Sequence, residues 1–329
     1  MPLLHINDLK TWFPIKRGVF SRTVGHIHAV DGVSFNIEPG ETVGLVGESG
    51  CGKTTLGRTV MGLEPKMSGT IQLDGTPLWP ARHQDSMPLR RRIQMIFQDP
   101  YSSLNPRMTI QEIVTEGLLH QKLIRSRERE EHARRLLQEV GMEASGLHRY
   151  PHEFSGGQRQ RISIARAISV RPELVICDEA VSALDVSVRA QVLNLLKDLR
   201  ASHNLSYLFI SHDLGVIRHI ADRVVVMYLG VVVETGPVTE VLDHPAHPYS
   251  RALISAVPVP LGDKKSRTIL RGDIPSSAHP PSGCRFHTRC PHAIAACKVQ
   301  IPLLEPLTPG SPRLVACIRK NERQLFDMV

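Results

Sequence analysis

The sequence predicts a layered α/β fold with an inserted helical subdomain and a small, irregular, cysteine-rich C-terminal domain. Three observations carry that prediction. Short apolar runs at Thr42–Val46, Ile93–Phe97, Leu174–Cys177 and Tyr207–Ile210 alternate with helical patterns, as buried parallel strands do. Between Pro100 and His152 the strand signals vanish. From His244 onward proline density rises and periodicity fails, and four of the six cysteines fall there: Cys284, Cys290, Cys297 and Cys317. At roughly 150 residues per domain, 329 residues make about two domains. The expected division is an α/β domain over 1–243, with its helical insertion at about 100–170, and a C-terminal domain over 244–329.

In chain order, the run Thr42–Val46 leads into a glycine-rich loop and a helical stretch Thr55–Met61. Within the insertion, Arg127–Val140 is amphipathic, with Ala133, Leu136, Leu137 and Val140 against a charged face. Ser155 precedes a helix over Arg159–Ile168, and Val186–Arg200 carries an apolar stripe of Val188, Val192, Leu195, Leu196 and Leu199. The apolar run Val224–Val233, ten residues long, is too short to span a bilayer. Met1–Lys10 contains Asp8 and lacks the apolar stretch of a secretory signal. A soluble, cytoplasmic chain is expected, one that works at a membrane only by docking.

The net charge of +8 invites a nucleic-acid reading. Its distribution argues otherwise: residues 1–250 hold 28 basic and 27 acidic side chains, and residues 251–329 hold 12 and 5. The body has no basic excess, so no nucleic-acid partner is expected.

The strongest chemical signal is Gly47-Glu-Ser-Gly-Cys-Gly52-Lys53-Thr54, a match to G-x-x-x-x-G-K-S/T between a strand and a helix. Glycines let backbone N–H groups turn inward around phosphate oxygens, and the helix start adds partial positive charge. Lys53 is placed to neutralise the β- and γ-phosphates of ATP, and the Thr54 hydroxyl to ligate Mg²⁺. Gly47, Ser49, Gly50, Cys51, Gly52 and the following Thr55 complete the nucleotide cradle. The loop and helix start predict a reactive thiol at Cys51. Cys177 reads as a buried strand residue.

A second signal is the apolar strand Leu174–Cys177 ending in Asp178 and Glu179. Asp178 is suited to hold Mg²⁺ through water, and Glu179 to orient the attacking water or accept its proton. Alone, the pair would be a solvated strand end; beside a phosphate loop the nucleotide reading wins. Ser155-Gly156-Gly157-Gln158 has a plain explanation as a helix cap. It also offers a second anion-binding helix start, which suggests a nucleotide gripped between two chains.

These stations occur in the order found in ABC-transporter ATPases. Besides the phosphate loop and the Asp178-Glu179 strand, the resemblance rests on Gln98, Phe154-Ser-Gly-Gly-Gln-Arg-Gln-Arg161, Ser182-Ala-Leu-Asp185 and Ser211-His212-Asp213, and covers about residues 5–250. It implies a P-loop ABC ATPase core. It also implies that Gln98 contacts Mg²⁺ or water and senses the γ-phosphate, that Asp185 communicates across a dimer, and that His212 holds the γ-phosphate and lytic water. Phe13 is placed like the aromatic that stacks on adenine. The family usually has proline after the catalytic glutamate, and this chain has Ala180. Local stiffness is therefore in question, while ATP hydrolysis is expected to survive.

Residues 244–257 and Pro280–Cys290 resemble the segment following the core in oligopeptide and dipeptide importers, and the whole chain is similar to the F-type ATPase of dipeptide permeases. That resemblance implies a heterodimer with a D-type ATPase, two transmembrane permease subunits and an extracytoplasmic peptide-binding protein. The place of work is then the cytoplasmic face of the cell membrane. Alternatives are a soluble ABC ATPase acting on ribosomes or nucleic acid, and an importer of nickel or haem. The four tail cysteines are separated by five, six and nineteen residues, wider than the spacing usual in structural zinc sites. A 4Fe–4S cluster suits them better and agrees with the resemblance; zinc, or cysteines that are merely reduced, are the alternatives.

Overall fold

The computed structural model describes residues 1–18, 20–79, 87–256 and 272–322. Elements are numbered in chain order. The chain divides into two compact units: Met1–Asn36, Val43–Thr76 and Ser211–Val329 form the first, and Ile37–Thr42 with Pro77–Ile210 the second.

The first unit opens with two long strands that lay outside the sequence prediction, β1 (Leu4–Arg17) and β2 (Arg22–Ile37). They join β4 (Ser68–Leu73) and β5 (Thr76–Pro77) in the order β2-β1-β4-β5. Strand β3 (Thr42–Val46) is buried throughout, at the bounds the apolar run predicts, and leads through the glycine loop into α1 (Lys53–Val60). It pairs in parallel with β9 (Arg223–Tyr228), placing Val46 opposite Val226. Helix α8 (Leu214–Ile220), which precedes β9, is capped by the Asp213 side chain.

The apolar run Val224–Val233 is a hairpin, not one element. Strand β9 turns at Leu229-Gly230 into the antiparallel β10 (Val231–Pro237). Both turn residues have positive φ, 45° and 82°, as a two-residue turn between right-twisted strands requires. Leucine is an unusual occupant, which hid the turn from sequence.

The chain after His244 is more ordered than the loss of periodicity suggests, though residues 257–271 and 323–329 of the expected C-terminal domain lie outside the described residues. Helix α9 (Val238–Asp243) is followed by α10 (Pro248–Ser255), whose cap is the His247 side chain accepting from Tyr249 N–H at 3.1 Å. Farther on, β11 (Glu305–Pro306) and β12 (Leu314–Val315) extend the order β11-β12-β10-β9-β3. The tail thus contributes strands to the sheet carrying the phosphate loop.

A buried ion pair fixes that junction. Glu234, fully buried on β10, accepts from the Ala246 and His247 N–H groups at 2.9 Å each and from Arg313 Nε and Nη2 at 2.9 and 2.6 Å. A buried carboxylate is tolerable only with such a full set of donors.

In the second unit, β6 (Ile93–Ile96), β7 (Leu174–Asp178) and β8 (Ser206–Ile210) run parallel in the order β8-β7-β6. Helix α2 (Met87–Arg92) precedes β6. Between β6 and β7 the chain is helical, as predicted: α3 (Pro100–Ser103), α4 (Ile110–His120), α5 (Arg129–Glu139) and α6 (Gly156–Ile168). Helix α6 packs on α3, α4 and α5, and Ala133, Leu136 and Leu137 of α5 are buried as their spacing required.

Helix α7 (Val186–His203) buries Val192, Leu193, Leu196 and Leu199. Leu195 and Val188 of the predicted stripe are only half-buried. No helix among the described residues is long and apolar enough to cross a membrane.

Candidate nucleotide site

The phosphate loop is built from backbone freedom and tight packing. Gly47, Gly50 and Gly52 have φ of 154°, 79° and 108°, values at which side chains are strained. Space excludes side chains too: a Cβ on Gly47 would lie 2.3 Å from the Met227 carbonyl oxygen, and one on Gly52 2.0 Å from that of Ala29. The hairpin turn supports the loop, because Gly230 N–H donates to the Cys51 carbonyl at 2.9 Å.

Lys53 is 5% exposed, and its Nζ donates to the Gly47 and Glu48 carbonyl oxygens at 2.8 and 3.0 Å. A buried ammonium held by neutral carbonyls in a loop of turned amides fits a phosphate chain. Thr54 and Thr55 are half-buried at the helix start, and Ser49 and Gly50 are exposed at the loop tip.

Cys51 departs from expectation. It is 5% exposed, and burial, outweighing the lowering effect of Lys53, raises its pKa. A buried thiol with a raised pKa is not the reactive thiolate that the loop position predicts. Cys177 is fully buried, with its pKa raised chiefly by burial.

Also in the first unit, His212 is exposed at the end of Ser211-His212-Asp213, where Ser211 Oγ accepts from Asp213 N–H at 3.0 Å. Phe13 is half-buried on β1. Its neighbour Trp12 is engaged elsewhere, with Nε1 donating to Asp31 at 3.1 Å and its ring 4.0 Å from that of His28.

The second unit brings together the carboxylate and glutamine stations. Asp178 is 2% exposed at the end of β7. Gln98 Nε2 donates to Glu179 Oε2 at 2.8 Å, so the side chain after β6 orients the one after β7. Glu179 has φ 47°, a left-handed conformation that costs a non-glycine residue about 1 kcal/mol or more. The Ser182 N–H and Oγ both donate to the Glu179 carbonyl, at 3.0 and 2.9 Å. Those bonds hold the turn that proline would otherwise stiffen, and Ala180 is buried beneath it.

Ser155 caps α6 by a reciprocal box, accepting from Gln158 N–H at 3.3 Å while Gln158 Oε1 accepts from Ser155 N–H at 3.0 Å. The cap does not fill the helix start. Ser155 and Gly156 are exposed, and a Cβ on Gly156 would meet nothing within 4 Å. At Gly157 a Cβ would lie 2.5 Å from Val188 Cγ1, so that glycine serves packing against α7. Asp185 begins α7 exposed, its side chain making no cap bond.

The four tail cysteines are free thiols, and all four line one cavity together with Phe286 and His292. Burial is the main cause pushing Cys284 and Cys290 up to about 11 and raising Cys317. Among the described residues, no group of three or more His, Cys, Asp or Glu is arranged to hold a metal ion.

The first unit carries a phosphate loop with a buried Lys53, and the second carries Asp178, Glu179 and Gln98 at the ends of parallel strands; these are the stations of an ABC-type ATPase. The ABC transporter family matches residues 30–182, and the oligopeptide/dipeptide transporter C-terminal region matches residues 233–297. The oligopeptide transport ATP-binding protein AppF of Bacillus subtilis (strain 168) is 51% identical over 319 residues, 96% of each chain. A provisionally named peptide import ATP-binding protein of Brucella ovis is 53% identical over 321 residues, 97% of this chain and 98% of that one. Among solved structures, the ATP-binding cassette MJ0796, a dimer in a post-hydrolysis state bound to ADP and Pi, is similar with a TM-score of 0.63. It is 25% identical and covers 71% of this chain and 98% of its own. The chain belongs to the family of ATP-binding subunits of oligopeptide and dipeptide ABC importers.

Proposed function

We propose that this subunit is the F-type half of an ATPase heterodimer, paired with a D-type chain on the cytoplasmic face of the cell membrane. There it drives two transmembrane permease subunits fed by an extracytoplasmic peptide-binding protein. The observation that carries the pairing is the open start of α6: the capped Ser155-Gly156 turn faces free space, and Asp185 is exposed with no cap to make. Surfaces of this kind suit a nucleotide presented by a second chain.

In the proposed chemistry, Lys53 and the amides of the loop bind the β- and γ-phosphates, and Phe13 contributes to adenine stacking. Mg²⁺, when bound, screens phosphate charge, and Thr54, Gln98 and Asp178 are the residues that would hold it. Glu179, oriented by Gln98, accepts a proton from the water whose oxygen attacks the γ-phosphorus as the bond to ADP breaks. His212 steadies the γ-phosphate. Ser155, Gly156, Gly157 and Gln158 supply the second anion-binding turn to the partner's nucleotide.

We also propose that Cys284, Cys290, Cys297 and Cys317 hold a 4Fe–4S cluster. The observation that supports it is that all four thiols line one cavity. Gaps of five, six and nineteen residues are wider than those usual in structural zinc sites, and four thiolates are the ligand set of a 4Fe–4S cluster. When bound, the cluster would cross-link the irregular tail.

Affinity purification from detergent-solubilised membranes tests the assembly, with permease subunits, a second ATPase and a peptide-binding protein expected. Ribosomal proteins without integral membrane proteins would overturn it. An absorbance spectrum of anaerobically purified protein tests the metal. Broad visible absorption is expected, and a colourless protein containing zinc would reject the cluster.

A further inference from the structure

The phosphate loop is gripped from outside by the C-terminal region at one residue, Glu48. This position is unspecified in the loop motif, and all three polar groups of the residue are engaged. Its carbonyl oxygen accepts from Lys53 Nζ at 3.0 Å. Its N–H donates to the Tyr249 hydroxyl at 2.8 Å, across 201 residues of sequence. Its carboxylate accepts two bonds from the Arg289 guanidinium, 2.8 Å from Nη1 and 3.2 Å from Nη2, across 241 residues.

The partners are themselves held. The Arg289 side chain is 8% exposed and lies over the Tyr228 ring at 5.9 Å. Tyr249 is fully buried, its ring 4.7 Å from that of Tyr228 and 5.5 Å from that of Phe286. A second link runs parallel to the first. Arg285 donates to the Leu229 carbonyl at 2.6 Å, and Gly230 of the same turn donates to the Cys51 carbonyl.

An anionic side chain within a loop that receives several phosphate charges is a liability, because like charges oppose binding. A bidentate guanidinium both cancels that charge and fixes its direction. We propose that Arg289 and Tyr249 are positioning residues for nucleotide binding. By holding Glu48 outward, they keep its carboxylate off the phosphates and leave the following amides turned into the cradle. This rests on the reading that residues 47–54 hold the phosphates.

The test is equilibrium binding of a fluorescent ATP analogue to the purified full-length chain, with thermal midpoints recorded alongside. Arg289→Gln frees the Glu48 charge and is expected to raise Kd about tenfold. Arg289→Lys, which keeps the charge, is expected to recover most of the affinity. Glu48→Gln alone is expected to bind no more weakly than the parent, and Glu48→Gln combined with Arg289→Gln to return Kd to within about threefold of it. Tyr249→Phe, which removes the acceptor for the Glu48 N–H, is expected to raise Kd about threefold. A merely structural role predicts instead that each of the three glutamine variants loses affinity in proportion to its loss of thermal stability, and that result would overturn the proposal. So would an Arg289→Gln chain with unchanged Kd. Lys53→Ala separates the two levels. If it binds as well as the parent, the phosphate-loop reading itself fails; if it does not bind while Arg289→Gln binds normally, only the positioning role fails.

Discussion

The phosphate loop and the cysteine-bearing tail are both irregular chain, and each is held in place differently. The loop's backbone is shaped locally, by three glycines at positive φ, a strand before it, a helix after it and carbonyls pressed where side chains would be; Glu48 is also held from afar. The tail is fixed at a distance by charge. Arg285 pairs with Asp31, Arg289 with Glu48 and Arg313 with Glu234, each cation in the tail and each anion in the body. Three of the twelve basic side chains of residues 251–329 are therefore directed inward. Local backbone geometry leaves a motif; long-range ion pairs leave only scattered arginines.

The sharpest break in this comparison concerns chemistry on the motif side. Glu179→Gln keeps the hydrogen bond to Gln98 and removes the base, so turnover is expected to fall at least about 100-fold while ATP still binds. Steady-state phosphate release and nucleotide binding measured together check it, and unchanged turnover would reject the role of Glu179.

On the tail side, Arg313→Met leaves Glu234 buried and charged without its cation. A loss of about 3–5 kcal/mol is expected, read as a lower urea midpoint. The Arg313→Met/Glu234→Leu double variant should recover part of it.

A smaller effect follows from His247, which burial lowers from 6.5 to about 3. Above pH 6.5 both folded and unfolded chains keep it neutral. Between 6.5 and 3 the unfolded chain takes up a proton that the folded chain refuses, so stability falls as pH falls. The contribution lost between pH 7 and pH 5 is about 2 kcal/mol. His247→Asn keeps a capping acceptor and should flatten that part of the pH–stability curve.

The smallest expected effect is at Cys51. Alkylation of the folded chain at pH 7.5 should run slower than that of a free thiol, and unfolding should abolish the difference. Rapid labelling that bound ATP prevents would restore the reactive-thiol expectation.

What was legible in the sequence follows the same division. Strands β3, β6, β7 and β8 and the helical stretch between β6 and β7 were readable, because buried runs and 3.6-residue periodicity are local. So were the strand–loop–helix setting of residues 47–54 and the Ser155 cap. The hairpin at Leu229-Gly230 was not, because leucine rarely occupies a left-handed turn position. The pairing of β12 with β10 was hidden as well, since two-residue strands carry no pattern. Glu234 follows the apolar run Val224–Val233 directly, and a carboxylate there demands a buried cation from elsewhere in the chain.

That carboxylate has a consequence for how the protein is made. Arg313 lies 79 residues after Glu234 in sequence. A ribosome releases about 5–20 residues each second, so for several seconds the sheet bearing the phosphate loop must wait with an unneutralised anion or stay open around it. The ATP-binding unit is thereby expected to close late in synthesis, and a chain cut short before Arg313 would lack the cation that lets β10 settle into the core.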